Sequence, residues 1–127
     1  MAISLNHTIV HARDKRESAT FLSEIMGLPE AEVFGHFLVV RTSNGVSLDF
    51  IETTEKFDPQ HYAFLVTDTE FDEIFGRIRQ RGLSYWADPG KRQPGEINHY
   101  FGGRGVYFED PSQHFLEIIT KPYGKWE

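Results

Sequence analysis

Cysteine is absent from the 127 residues. That excludes disulfides, thiolate nucleophiles and cysteine-bound zinc together. Long apolar runs are absent too, and nothing approaches the ~18–20 residues that a membrane-spanning helix needs. Positive charge is in short supply: 13 Lys and Arg stand against 19 Asp and Glu, a formal charge of −6. A phosphate backbone demands the opposite balance, so no nucleic-acid partner is expected. The opening Met1-Ala2-Ile3-Ser4-Leu5-Asn6-His7 lacks the basic start and apolar stretch of a secretory signal, and a cytoplasmic protein is expected. What is present is an ordinary globular composition, 39% hydrophobic and 25% charged, with six His. The length suits one domain. Any metal it holds is bound through nitrogen and oxygen.

The chain reads as one unit used twice. Residues 5–11 are β-prone, and Asp14 with Glu17 has the spacing of a capping box. Phe21, Leu22, Ile25 and Met26 form a stripe at helical spacing that Gly27 stops. Strands follow at Val33-Phe34, at 37–40 and at 46–51, the last two joined by the turn signal Ser43-Asn44-Gly45. The second half repeats this order. His61 to Val66 is a strand, Thr67 and Glu70 make a second capping box, and Phe71, Ile74, Phe75 and Ile78 line a helix closed by Gly82. Three more strands fall at 84–86, 104–108 and 115–120. His7 and His61 are 54 positions apart, as are Asp14 and Asp68, while Asp49 and Glu117 are 68 apart. The difference lies mainly in a Gly/Pro-rich stretch, 87–105, of the length usually found in lids and binding loops. The expectation is an α+β fold: two βαβββ repeats, about 1–57 and 58–127, closing into a half-barrel metal-binding cleft within a single domain.

Spacing sorts the histidines. His7 and His11 are four apart, which on a strand is about 13 Å, too far for one ion. His11 is therefore read as a strand-end or rim residue. His7 and His61 open equivalent strands, so pseudo-twofold symmetry would bring them towards a common axis. Glu117 lies among Phe115, Leu116, Ile118 and Ile119, where an ionised carboxylate needs a cation or a raised pKa. Two His and one carboxylate with open positions make the facial triad of non-haem Fe(II), which also suits Mn(II) or Ni(II). A plainer alternative pairs Glu117 with an arginine such as Arg104. Asp49 occupies the repeat-equivalent place and reads as a ligand, as a pocket acid paired with a base, or as a general base beside the metal.

Eleven Phe, five Tyr and two Trp are mostly core by expectation. Phe50, Tyr100, Phe101 and Tyr107 are candidates for lining a cavity around a flat apolar ligand, and His99 for a proton or hydrogen bond to it.

The two units, the His at the head of each first strand and the ending GRGVYFEDPSQHFLEIIT resemble the vicinal oxygen chelate superfamily. That superfamily includes glyoxalase I, extradiol dioxygenases, fosfomycin-resistance transferases and bleomycin-binding proteins. The likeness covers essentially the whole chain, and Gly105 to Glu117 is its most specific part. LNHTIVHARD, NGVSLDF, QHYAFLV and RGLSYWADPGKRQPGEINH are most similar to the small single-domain dioxygenase-like branch, to which the chartreusin-biosynthesis dioxygenase belongs.

The resemblance implies His7, His61 and Glu117 at the three metal positions, Fe(II) as the metal with Mn(II), Ni(II) or Zn(II) as substitutes, and a homodimer. It implies oxidative cleavage or rearrangement of a phenolic, polycyclic small molecule by O2. In glyoxalase I a fourth ligand, normally Glu, falls where this chain has Asp49. A glyoxalase-type lyase or epimerase on the same metal site is the second expectation. An antibiotic-binding protein without catalysis is the third.

Overall fold

The helices start where side chains satisfy the free N–H groups of the first turn. Asp14 accepts from the N–H of Arg16 and of Glu17, which starts helix α1 (Lys15–Met26), and Gly27 ends it at φ 70, a conformation other residues adopt at a cost. Thr67 and Glu70 form the reciprocal capping box of helix α2 (Asp68–Gln80). The computed structural model describes residues 2–124 and divides into two units, 1–58 and 59–127.

The first unit carries β1 (His7–Ala12), α1, β2 (Glu32–Phe34), β3 (Phe37–Arg41) and β4 (Ser47–Glu52). The second carries β5 (His61–Leu65), α2, β6 (Tyr85–Trp86), β7 (Gly105–Glu109) and β8 (Phe115–Ile119), with a 3-10 turn at Tyr100–Gly102. The expected βαβββ order is present in both. Each unit forms a four-stranded mixed sheet, β1-β4-β3-β2 and β5-β8-β7-β6. In each, the first and last strands pair in parallel and the remaining pairs are antiparallel.

Strand alternation then separates a core face from a polar one. In the first unit Val10, Ala12, Leu38, Val40, Leu48 and Phe50 are buried beside the Ala19, Leu22 and Ile25 stripe of α1. In the second, Val106, Phe108, Leu116 and Ile118 are buried with Phe71, Ile74 and Ile78 of α2, and Phe75 meets Tyr85 edge to face at 5.0 Å. Arg104 is held on α2 by Asp68 and Asp72 and lies 4.4 Å from the Phe71 ring centre. Arg104 therefore serves the helix, and the expectation that it pairs with Glu117 is not met.

The registers coincide. Asp49 lies opposite Ile9 and Glu117 opposite Ala63, in both cases two residues beyond the strand-opening His. Each unit thus places one His and one acid on the same face of its sheet, away from the helix.

The long connection 87–104 is anchored at both ends. The Asn98 backbone exchanges two hydrogen bonds with Gly105, and its buried side chain donates to the Ala87 carbonyl at 2.8 Å and accepts from the Tyr100 N–H. A Cβ on Gly105 would lie 2.8 Å from Asn98 Oδ1, so glycine is required for this close approach. Asn98→Ala leaves a carbonyl without its partner, and a loss of about 1–3 kcal/mol is expected. Thermal denaturation and limited proteolysis check it: the melting point falls and cleavage within 88–97 accelerates. An unchanged cleavage rate would show that the loop is not anchored there.

Candidate metal centre

The C-terminal unit builds its polar face around Glu117. This side chain is 1% exposed in the middle of β8. The neighbouring β5 presents His61, whose Nδ1 lies 3.0 Å from the Phe115 carbonyl oxygen and whose Nε2 lies 3.0 Å from Glu117 Oε1. A carbonyl only accepts, so Nδ1 carries the hydrogen and a neutral ring has its lone pair on Nε2. Lone pair and carboxylate oxygen are then two acceptors in contact. A proton shared between the two, or a cation held by both, resolves that contact.

The position of this pair is fixed by the β7–β8 turn. Asp110 Oδ1 accepts from the N–H of Ser112 and of His114. The buried His114 accepts the Gln60 N–H on Nδ1 at 2.9 Å, and Phe115 N–H bonds back to the Gln60 carbonyl. The residue just before His61 is thereby tied to the residues just before Glu117. His114 is the tie.

Tyr123 was not singled out from the sequence. Its hydroxyl donates to Glu117 Oε2 and lies 3.4 Å from the Tyr107 hydroxyl. Tyr107 is opposite Glu117 in the β7–β8 register, and its ring stacks on Phe115 at 5.2 Å and on His61 at 5.9 Å. Trp86 adjoins Phe115 at 6.0 Å. The result is an aromatic floor beside the acid. Phe101 and Tyr100 pack on the Tyr123 ring at 5.3 and 6.1 Å while staying 61% and 40% exposed. His99 precedes them, exposed, at the start of the 3-10 turn.

The N-terminal unit holds the other candidates. His7 is exposed on β1, with Nδ1 2.7 Å from Asn6 Oδ1. With that oxygen accepting, Nε2 is again the nitrogen left with a lone pair. Asp49 is buried and accepts from Ser47 Oγ at 2.8 Å. His11 stacks on Phe57 at 5.9 Å. Phe50 is placed differently from the expectation. It is 2% exposed and registered with Val10 and Leu38, on the core side of β4. Adjacent residues of a strand face opposite ways, so Phe50 cannot share the face of Asp49.

The donor set fits a divalent ion. A ring nitrogen and a carboxylate oxygen 3.0 Å apart are spaced as two donors lie when each is about 2.1 Å from one ion at a right angle. The outer partners fit as well: the Phe115 carbonyl orients the imidazole, and the Tyr123 hydroxyl orients the carboxylate, the support that metal ligands ordinarily receive. Among the described residues no group of three or more His, Asp or Glu converges. His61 and Glu117 are therefore a two-donor half-site.

These features belong to a recognised class. The chain is a member of the Glyoxalase/Bleomycin resistance protein/Dioxygenase superfamily, whose model matches residues 4–118. Among solved structures it is similar to oxidase ChaP-H1, 62% identical over 98% of this chain and 100% of that one, at a TM-score of 0.95. It is also similar to oxidase ChaP-H2, 58% identical over 98% of each chain, at 0.96. These neighbours match the dioxygenase-like branch to which the sequence resemblance points. A more distant relative is the glutathione transferase FosA of Serratia marcescens, 30% identical over 93% of this chain and 81% of that protein.

Burial pushes the Tyr107 phenol up to about 12, and the Glu117 charge adds to the rise. Burial, followed by the bond to Glu117, raises Tyr123 as well. Both phenols keep their protons at neutral pH. For an acid whose folded pKa is raised, stability is complete below the unfolded value near 10 and is lost as pH climbs towards the folded one. Denaturant midpoints measured from pH 8 to 12 are expected to fall above pH 10, and less steeply in Tyr107→Phe. Equal slopes would contradict the buried-phenol assignment.

Proposed function

We propose that this protein is a metal-dependent dioxygenase, using Fe(II), that acts on a phenolic or polycyclic aromatic small molecule and cleaves or rearranges its ring with O2. The observation that carries this reading is the His61–Glu117 pair, a ring lone pair aimed at a buried carboxylate with both groups oriented from behind. The likeness to two oxidases over the whole chain supports the oxidative chemistry. His61, Glu117 and His7 are the three proposed ligands. Mn(II), Ni(II) and Zn(II) suit the same donors. Family membership supports a homodimer. Among the described residues no helix is long and apolar enough to cross a membrane.

An Fe(II) ion so held would supply a Lewis-acidic template for two vicinal substrate oxygens and a source of electrons for O2. The protein's own part is to bind, orient and deprotonate. The floor formed by Tyr107, Phe115 and Trp86 takes the flat face of the substrate. Tyr100, Phe101 and His99 close on it from the 87–104 loop. Asp49 takes the phenolic proton on a carboxylate oxygen, because a phenolate binds a cation better and is more easily oxidised. Ser47 holds that carboxylate in place through Oδ1.

Protein purified without chelator and reloaded with Fe(II) is expected to hold close to one ion per chain. His61→Ala and Glu117→Ala are expected to fall about ten- to a hundredfold or more in affinity. Asp49→Asn should keep the ion and lose about 10²–10⁴ in turnover. An oxygen electrode checks the reaction class. Undiminished turnover under strict anaerobiosis would replace the dioxygenase with a lyase or epimerase on the same site. Wild-type protein that rebinds no metal would remove both. Ligand affinity unaffected by either alanine variant would then leave an antibiotic-binding protein.

A further inference from the structure

Glu117 has two oxygens, and each has its own neighbour. Oε1 faces His61 Nε2 at 3.0 Å, while Oε2 accepts the Tyr123 hydroxyl. The Tyr123 side chain is confined on several sides. Phe101 and Tyr100 pack on its ring, and the Tyr107 oxygen lies 3.4 Å from its own. Because the Tyr123 hydrogen is spent on the carboxylate, Tyr107 is the donor between the two phenols, and the chain of bonds runs Tyr107 to Tyr123 to Glu117. The Phe101 backbone sits at φ 55, a left-handed conformation that a non-glycine residue adopts only at a cost. The loop anchored by Asn98 therefore holds a strained residue in order to place a ring against Tyr123.

We propose that Tyr123 is a positioning residue that restricts Glu117 to one-oxygen ligation and thereby keeps a coordination position open for the reaction. The inference rests on the metal reading given above. An octahedral ion has six positions. The proposed ligands His7, His61 and one oxygen of Glu117 would take three of them. Two vicinal oxygens of a substrate occupy two more, and one is left. A Glu117 bound through both oxygens would fill that last position. A phenol bonded to Oε2 competes with bidentate ligation, because it draws on electron density of the second oxygen and pins the carboxylate's orientation. Tyr123 thus determines whether the site accepts a chelating substrate and a further ligand together, or a chelating substrate alone.

The experiment uses the full chain loaded with Co(II), whose visible absorption reports coordination, and 4-nitrocatechol as the chelating probe. Wild type is expected to take up Co(II) and then to bind the catechol with a shift in both the cobalt and the catechol bands. Tyr123→Phe is expected to retain Co(II) with an altered cobalt spectrum before any catechol is added, and to bind the catechol about tenfold more weakly or worse. Tyr107→Phe, which leaves the Tyr123 bond to Glu117 in place, is expected to move the cobalt spectrum less than Tyr123→Phe does. Apo-protein melting curves for each variant separate a local effect from unfolding, and Phe101→Ala is a second route to loosening Tyr123 if Tyr123→Phe does not fold. A Tyr123→Phe protein with the wild-type cobalt spectrum and wild-type catechol affinity would overturn the inference and leave the metal reading standing. Wild-type protein that takes up no Co(II) would overturn the metal reading and the inference with it.

Discussion

A carboxylate that is 1% exposed in the middle of a β-strand is the constraint on which the C-terminal unit depends. Burying an unpaired ionised acid is costly enough that a fold accepts it only with compensating partners. Here the partners come from three separate stretches of chain: His61 from the strand alongside, Tyr123 from the segment that turns back after β8, and the Tyr107 face from the strand on the other side. Each partner is fixed in turn by backbone. The Phe115 carbonyl holds the imidazole, and the His114 bond to Gln60 sets where β5 begins relative to β8. A polar cluster of this kind is coherent only when every member is satisfied, and among the described residues no buried side-chain N or O atom lacks a partner.

The two units solve the same problem at different levels of demand. Asp49 and Glu117 occupy equivalent register positions, yet Asp49 is satisfied by Ser47 on its own strand, two residues away. Where the first unit has Ser47, the second has Phe115, which offers an aromatic face and a backbone carbonyl. The C-terminal acid must therefore look outward, to His61 and Tyr123. One copy of the repeat keeps an acid with a local partner. The other keeps an acid whose partners are all supplied at a distance.

Much of this was legible in the sequence, for physical reasons that can be named. Capping residues start helices by chemistry local to a few positions, so Asp14, Thr67 and Glu70 marked α1 and α2 directly. A charge inside an apolar strand is conspicuous because it is expensive, which is why Glu117 and Asp49 stood out. Phe50 was misplaced although the information was present: it adjoins Asp49, and neighbours on a strand face opposite ways. Tyr123 and His114 were beyond reach for another reason. Tyr123 meets Glu117 only because the chain reverses around Pro122. His114 acts on a backbone N–H, and backbone donors leave no mark in the amino-acid order. Arg104 shows the converse, since two acids on α2 claimed it before Glu117 could.

The double anchoring of the 87–104 connection has a consequence for how such a protein diversifies. Asn98 and Gly105 fasten the loop base to the sheet, and Asp88 gathers the N–H groups of Arg92 and Gln93 near its start. Between these fixed points the chain can lengthen, shorten or change composition without displacing the strand that carries Tyr107. Substitutions at 89–97 fall outside the Tyr100 and Phe101 rings that pack on Tyr123. A lineage can therefore vary that tethered segment while the polar cluster around Glu117 stays intact.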